Sequence, residues 1–90
     1  MAKLKIYTKS WCPYCVRALS VLKSAGITDY EDISIDGREA EMRQKLVELT
    51  NGRGDVPQVF VDDQYIGDDD ALVALAQSGK LQSLLSGEAE

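Results

Sequence analysis

Residues 3–26, KLKIYTKSWCPYCVRALSVLKSAG, decide the fold. Leu4 and Ile6 fall on one face of KLKIYT and Lys3, Lys5 and Tyr7 on the other, the period-2 pattern of a half-buried strand. From Tyr14 to Ala25, Val16, Leu19, Val21 and Leu22 recur near helical spacing, and Gly26 follows as the residue that commonly ends a helix. Pro13 suits the first helical turn, where its missing N–H would have no partner anyway. Two cysteines therefore lie where a strand gives way to a helix, Cys12 at the N-cap or first helical position and Cys15 one turn on.

Reading outward, Tyr30–Asp36 alternates with Ile33 and Ile35 inward and closes on an Asp36-Gly37 turn. Arg38–Thr50 carries Met42, Leu46 and Leu49 at i, i+4 and i+7, an amphipathic helix stopped by Asn51-Gly52. Val59–Val61 follows Val56-Pro57-Gln58 as a short apolar strand. Pro57 belongs at its start, because proline cannot donate to a sheet ladder. Asp62-Asp63 makes a turn, Gln64–Ile66 pairs back as a hairpin, and Asp68–Ser78 is helical through Leu72, Leu75 and Ala76. Gly79 breaks that helix, Leu81, Leu84 and Leu85 allow a further short one, and residues 86–90, SGEAE, read as a frayed polar tail. The order β-α-β-α-β-β-α implies a right-handed β-α-β crossover feeding a four-stranded mixed sheet flanked by helices, an α/β fold. Leu46, Leu49, Leu72 and Leu75 are its expected core.

Ninety residues, 44% of them hydrophobic, suit one domain over 1–90. Fifteen acidic against ten basic side chains give a net charge of −5, which argues against nucleic acid or an anionic membrane surface as partner. The apolar runs are too short for a membrane span, and MAKLKIYTK does not read as a signal peptide, so a cytoplasmic monomer is expected. Two cysteines without histidine exclude a closed four-ligand zinc site within one chain, a Ser-His-Asp triad and a Cys-His pair. Most of the available chemistry lies in two sulfurs.

Residues three apart on a helical turn place their Cα atoms roughly 5 to 5.5 Å apart, within the span a disulfide bridges. Unpaired N–H groups, the helix dipole and the charge of Lys9 favour a thiolate at Cys12, making it the expected nucleophile with a lowered pKa. Cys15, deeper in the turn, is suited to resolve a mixed disulfide. Other readings of the pair are a structural disulfide closing a negligible loop, half of an intersubunit zinc or iron–sulfur site, or two unrelated buried thiols. The strand-to-helix context favours redox chemistry.

With Tyr7-Thr8-Lys9 leading into Cys12-Pro13-Tyr14-Cys15, then Val56-Pro57-Gln58-Val59-Phe60-Val61, then Ile66-Gly67 followed by acidic residues and Leu72, the sequence resembles the dithiol glutaredoxins, the bacterial short form most closely. The match runs from Lys3 to about Leu85. The resemblance implies a thioredoxin-like fold, a redox-active Cys12–Cys15 disulfide, reduction by glutathione, and removal of glutathione from mixed disulfides. No metal is expected. It implies disulfide-bonded or glutathionylated proteins as clients, and glutathione reductase as an indirect partner. Carried over residue by residue, Cys12 is the nucleophile, Cys15 the resolving thiol, and Tyr14 a flank of the bound tripeptide. Lys9 is the cation for its glycine carboxylate, with Arg53 as a helper. Val56-Pro57 matches the family's cis-proline turn, whose preceding backbone pairs with the substrate like an added strand. Asp69 and Asp70 fall where the family binds the γ-glutamyl group.

The chain departs from the family pattern at Asp55, where threonine is usual, and in Gly67-Asp68-Asp69-Asp70-Ala71, where Gly-Gly-Ser/Cys-Asp-Asp is usual. Asp68 takes the second glycine's place and Ala71 the second aspartate's, so added carboxylates should repel an anionic ligand group. Asp68–Asp70 also read simply as an acidic, capping helix start. Trp11 reads either as core cover or as an apolar rim beside the nucleophile. Three functions compete: a glutathione-dependent oxidoreductase, a redoxin recharged by thioredoxin reductase, and a carrier holding a [2Fe–2S] cluster between two chains. Pro13 and Tyr14 argue against the last.

Overall fold

Alternating side chains from Leu4 to Thr8 form strand β1, one of four strands of a single sheet in the computed structural model, which describes residues 3–86. The other elements are helix α1 (Pro13–Ser24), β2 (Tyr30–Ser34), α2 (Glu39–Thr50), β3 (Gln58–Val61), β4 (Gln64–Gly67), α3 (Asp69–Ser78) and α4 (Lys80–Ser86). The sheet order is β2-β1-β3-β4. β1 runs parallel to β2, from Leu4 opposite Tyr30 to Thr8 opposite Ser34, and antiparallel to β3, with Ile6 opposite Val59. β3 pairs antiparallel with β4, and a register shift between Val59 and Phe60 interrupts that ladder. This is the expected four-stranded mixed sheet flanked by helices. The foreseen short helix is α4. Apart from Ser86, which ends α4, the expected tail lies outside the described residues.

Period-2 alternation on the central strands sorts side chains into two cores. Leu4, Ile6, Val59 and Val61 pack with Ala18 and Leu22 of α1, Leu72 of α3 and Leu81 of α4. On the opposite face Tyr7 and Phe60 pack with Met42 and Leu46 of α2 and with Ile35. Tyr7 meets Phe60 edge-on at 5.6 Å between ring centroids, a favoured aromatic geometry. Tyr7 is therefore buried, against the expectation of a polar outer face for β1. Helices cover both sides of the sheet, so the strand has no solvent face at that end. β3 is buried at all four positions, including Gln58.

Two helix faces also differ from expectation. In α1 the buried positions are Cys15, Ala18 and Leu22, while Val16 is 66% exposed. Small Ala18 takes the innermost place where α1 packs on the sheet, turning the stripe away from Val16. In α2, Leu49 is 46% exposed and Thr50 is buried instead. Thr50 lies one turn beyond Leu46 on the inner face, and its hydroxyl lies 2.6 Å from the Leu46 carbonyl and accepts the Arg53 N–H at 2.8 Å. A threonine can occupy that inner position because its polar group is satisfied. β2 ends at Ser34, two residues earlier than expected, although the Ile35 N–H still donates to the Thr8 carbonyl at 2.8 Å. Asp62 and Asp63 both have positive φ, 51° and 66°, as a two-residue type I′ hairpin turn requires. Among the described residues no helix is long and apolar enough to cross a membrane.

Gly67 ends β4 at φ +142°, and a Cβ there would lie 2.5 Å from the Cβ of Ala71 in the first turn of α3. Both the backbone angle and the space demand glycine. Gly67→Ala should therefore lower the unfolding free energy by roughly 2–4 kcal/mol, from backbone strain plus overpacking. A shift of the urea midpoint at unchanged slope will measure it.

Candidate active site

Cys12 is the N-cap of α1, in an extended conformation (φ −115°, ψ 103°), and its sulfur accepts the Cys15 N–H at 3.2 Å. A sulfur thus fills the capping place that Ser, Thr or Asp usually takes, with the N-terminal end of the helix dipole behind it. The Val16 N–H closes the turn on the Cys12 carbonyl at 3.1 Å. Both cysteines are free thiols and buried, Cys15 the deeper. Burial, then the hydrogen bond with Cys12, push the Cys15 thiol up to about 12, against a backbone hydrogen bond from Lys9. Cys15 is therefore a neutral thiol in the resting protein.

Across from Cys12 stands the loop 51–57. The Val56–Pro57 peptide is cis, as the resemblance implied, and the Cys12 thiol points to the Val56 carbonyl oxygen at 4.0 Å. The Val56 side chain packs in the same core as the cysteines. Its backbone N–H makes no hydrogen bond among the described residues. The loop is anchored from three directions. Arg43 of α2 donates to the Gly54 carbonyl at 3.0 Å, and Gln58 donates to the Asp55 carbonyl at 2.9 Å. Tyr65 of β4 in turn donates to Gln58 Oε1 at 2.7 Å. Arg53 forks onto the Asp55 carboxylate at 2.7 and 3.2 Å.

The acidic start of α3 is arranged by two arginines. Asp68 is the N-cap, accepting the Ala71 N–H at 3.2 Å and Arg53 Nη1 at 3.0 Å. Burial pushes its carboxyl up, but the Ala71 amide and Arg53 outweigh this and hold it below the usual carboxylate range. Arg53 likewise lowers Asp55. Arg17 of α1 donates to both Asp69 at 2.9 Å and Asp70 at 2.8 Å, and the Asp69 side chain is only 8% exposed. The carboxylates of Asp69 and Asp70 thus lock α3 to α1, while the amides of both residues, in the first helical turn, have no intrahelical acceptor.

On the other side of Cys12, the half-buried Lys9 lines a shallow groove of about 330 Å³ with Thr8, Trp11, Cys15, Asp32 and Asp36. Asp36 fixes the approach to the helix by accepting the Ser10 amide at 3.0 Å and the Ser10 hydroxyl, and these bonds, with a contribution from Lys9, lower its pKa. Trp11 is 98% exposed in a left-handed conformation (φ 60°), so it covers no core. Tyr14 is also exposed, on the helix surface between the two cysteines.

The fold therefore gathers Cys12, Cys15, Val56 and Pro57 at one point, with Lys9 and Tyr14 on its rim and Asp69 and Asp70 at the neighbouring helix start. Sequence reasoning missed Arg17, Arg43, Gln58 and Tyr65 as supports. The one available signal was a buried-strand pattern interrupted by glutamine right after Pro57, which demands a polar partner.

Known proteins match both the sequence and the fold of this chain. The glutaredoxin family model matches residues 4–66. A probable glutaredoxin of Synechocystis sp. is 45% identical over 84 residues, covering 93% of this chain and 93% of the relative. Glutaredoxin 3 of Escherichia coli K12 is 45% identical over 85 residues, 94% of this chain and 99% of the relative. Among solved structures, oxidized glutaredoxin 2 from Chlamydomonas reinhardtii superposes with a TM-score of 0.84 at 33% identity, over 99% of this chain and 85% of that one. A buckwheat glutaredoxin–glutathione complex superposes at 0.82 with 27% identity, over 93% and 76%.

Because Cys15 stays protonated until strongly alkaline pH, alkylation of the reduced folded protein near neutral pH should modify Cys12 first. Mass spectrometry of partly alkylated protein reads the order, and early modification of Cys15 would reverse the two roles.

Proposed function

This chain belongs to the glutaredoxin family, with a thioredoxin-like fold and thiol–disulfide oxidoreductase activity, and from that premise we propose that glutathione is its reductant and that Cys12 is its nucleophile. The observation that carries this reading is the Cys12 sulfur at the N-cap of α1, facing a Val56 backbone whose N–H has no partner among the described residues. A cysteinyl residue disulfide-linked to Cys12 would lie alongside Val56 and satisfy that N–H, as an added strand does.

In the proposed reaction the Cys12 thiolate attacks the glutathione sulfur of a glutathionylated protein. The new S–S bond joins Cys12 to glutathione, and the client's sulfur leaves as a thiol after taking up a proton. A second glutathione thiolate attacks the mixed disulfide, releasing glutathione disulfide and restoring Cys12. With a protein disulfide as substrate, Cys15 supplies the second attack, leaving the Cys12–Cys15 disulfide and a reduced client. Cys15 must lose its proton for that step, so resolution by free glutathione is favoured wherever glutathione is abundant. Such supply fits a cytosolic monomer, with glutathione reductase acting on the released disulfide.

The tripeptide contacts follow the same logic. Lys9 offers a cation to the glycine carboxylate and Tyr14 an exposed ring to its flank. Asp69 and Asp70 contribute through their backbone amides, because Arg17 already engages both carboxylates. Recharging by thioredoxin reductase is the second reading, supported by the carboxylates of Asp55 and Asp68, which crowd the place of an anionic ligand.

Cys15→Ser should retain most of the deglutathionylation rate, because that reaction needs one thiol, while Cys12→Ser should fall to the uncatalysed level. Reduction of protein disulfides should suffer in both. NADPH consumption on a small glutathione mixed disulfide, with glutathione and glutathione reductase, will read the difference. Equal loss in the two variants would defeat the one-thiol scheme, and turnover with thioredoxin reductase alone would favour the second reading.

A further inference from the structure

We propose that Arg53 acts as a charge shield: by holding the carboxylates of Asp55 and Asp68 together, it lets an anionic ligand approach a site that these two residues would otherwise close electrostatically. The inference rests on the glutathione reading above and concerns the two positions at which this chain adds carboxylates.

Asp55 directly precedes Val56, and Asp68 caps the helix that Arg53 ties to the same loop. Arg53 reaches both, with Nη2 on Asp55 at 2.7 Å, Nε on Asp55 at 3.2 Å and Nη1 on Asp68 at 3.0 Å. Three of the five guanidinium N–H donors are engaged by these carboxylates, and its bidentate Nε–Nη2 edge is turned to Asp55, away from a ligand carboxylate. Among the described residues, the other arginine at this helix start, Arg17, is divided between Asp69 and Asp70. Lys9 lies in the groove on the far side of Cys12. Removing Arg53 would leave two partly exposed carboxylates uncompensated beside the α3 amides, where a ligand carboxylate has to dock. Arg53 is thus a positioning residue for charge, not a ligand.

Two explanations for an Arg53 defect separate cleanly. If Arg53 shields, neutralising Asp68 restores what the loss of Arg53 removes. If Arg53 binds the ligand itself and leaves Asp68 unshielded, neutralising Asp68 raises the ratio by the same factor whether Arg53 is present or absent. Asn is the variant of choice at position 68, since it caps a helix about as well as Asp and lacks the charge.

The test uses the full chain carrying Cys15→Ser, equilibrated with glutathione and its disulfide. Cys12 exchanges into glutathione disulfide, forming Cys12–S–S–glutathione and releasing one glutathione. A parallel equilibration with 2-mercaptoethanol and its disulfide gives a neutral reference, and mass spectrometry counts each mixed disulfide. The ratio of the two equilibrium constants reports recognition of the tripeptide apart from the intrinsic chemistry of the thiol. Arg53→Met should lower this ratio roughly two- to fivefold, the size of an exposed charge interaction, and leave the mercaptoethanol constant unchanged. Adding Asp68→Asn should bring it back to the parent value or above, a gain severalfold larger than Asp68→Asn gives when Arg53 is present. An unchanged ratio in Arg53→Met, a gain from Asp68→Asn no larger without Arg53 than with it, or an equal fall with both thiols would each overturn the shield. A parent ratio of one would refute glutathione recognition, and the shield would still be read from whether Arg53→Met drives the ratio below one and Asp68→Asn restores it.

Discussion

The site depends on a sulfur doing the work of a helix cap. The Cys15 N–H would be an orphan donor at the start of α1, and the Cys12 sulfur accepts it at 3.2 Å. That one hydrogen bond aligns the helix dipole with Cys12, fixes Cys15 one turn deeper, and aims the Cys12 thiol at the Val56 carbonyl. Pro13 at the first helical position supports the arrangement, since it contributes no N–H to compete for the sulfur. The difference between the cysteines follows from position alone: one caps the helix, and the other is desolvated within it.

Such a cap is useful only if the opposing backbone is held still. The cis Val56–Pro57 peptide sits in a loop without secondary structure of its own, yet polar side chains of α2, β3 and β4 hold it. Thr50, Arg43, Gln58 and Tyr65 all act on backbone or side-chain atoms of residues 53–58. Gln58, fully buried at the head of an otherwise apolar strand, is acceptable because both ends of its amide are satisfied. The two-sided burial of the sheet makes this possible, for α2 packs on the face that holds both cysteines and Val56 and carries Arg43 to the loop, while α1 and α3 pack together on the other.

In an acidic chain, carboxylates near a thiol nucleophile and an anionic cosubstrate need an answer. The fold answers with two arginines, each serving two aspartates. Arg17 binds α1 to α3, and Arg53 binds the proline loop to the α3 cap. The exposed members of these pairs add little to stability individually. Their larger effect is on where charge lies around the site. The same distribution explains why Asp69 and Asp70 are better placed to act through their amides than through their carboxylates.

The sequence by itself determined the element order, the mixed sheet, the place of Cys12 and Cys15 at a strand-to-helix junction, and the turn at Asp62-Asp63. These follow from local rules, namely side-chain periodicity, capping and the limits on proline, which act over a few residues. It did not determine which side of α1 would be buried, that Leu49 would give way to Thr50, or that Tyr7 would lie inside. Those choices depend on what covers each face, a matter of distant segments meeting. Nor could it pair Arg17 with Asp69 and Asp70, or Arg53 with Asp68, across 52, 53 and 15 residues of chain. Charge pairing is set by the geometry of packed elements, which only the tertiary structure decides, because an arginine and an aspartate far apart in sequence carry no local mark of which partner they will meet.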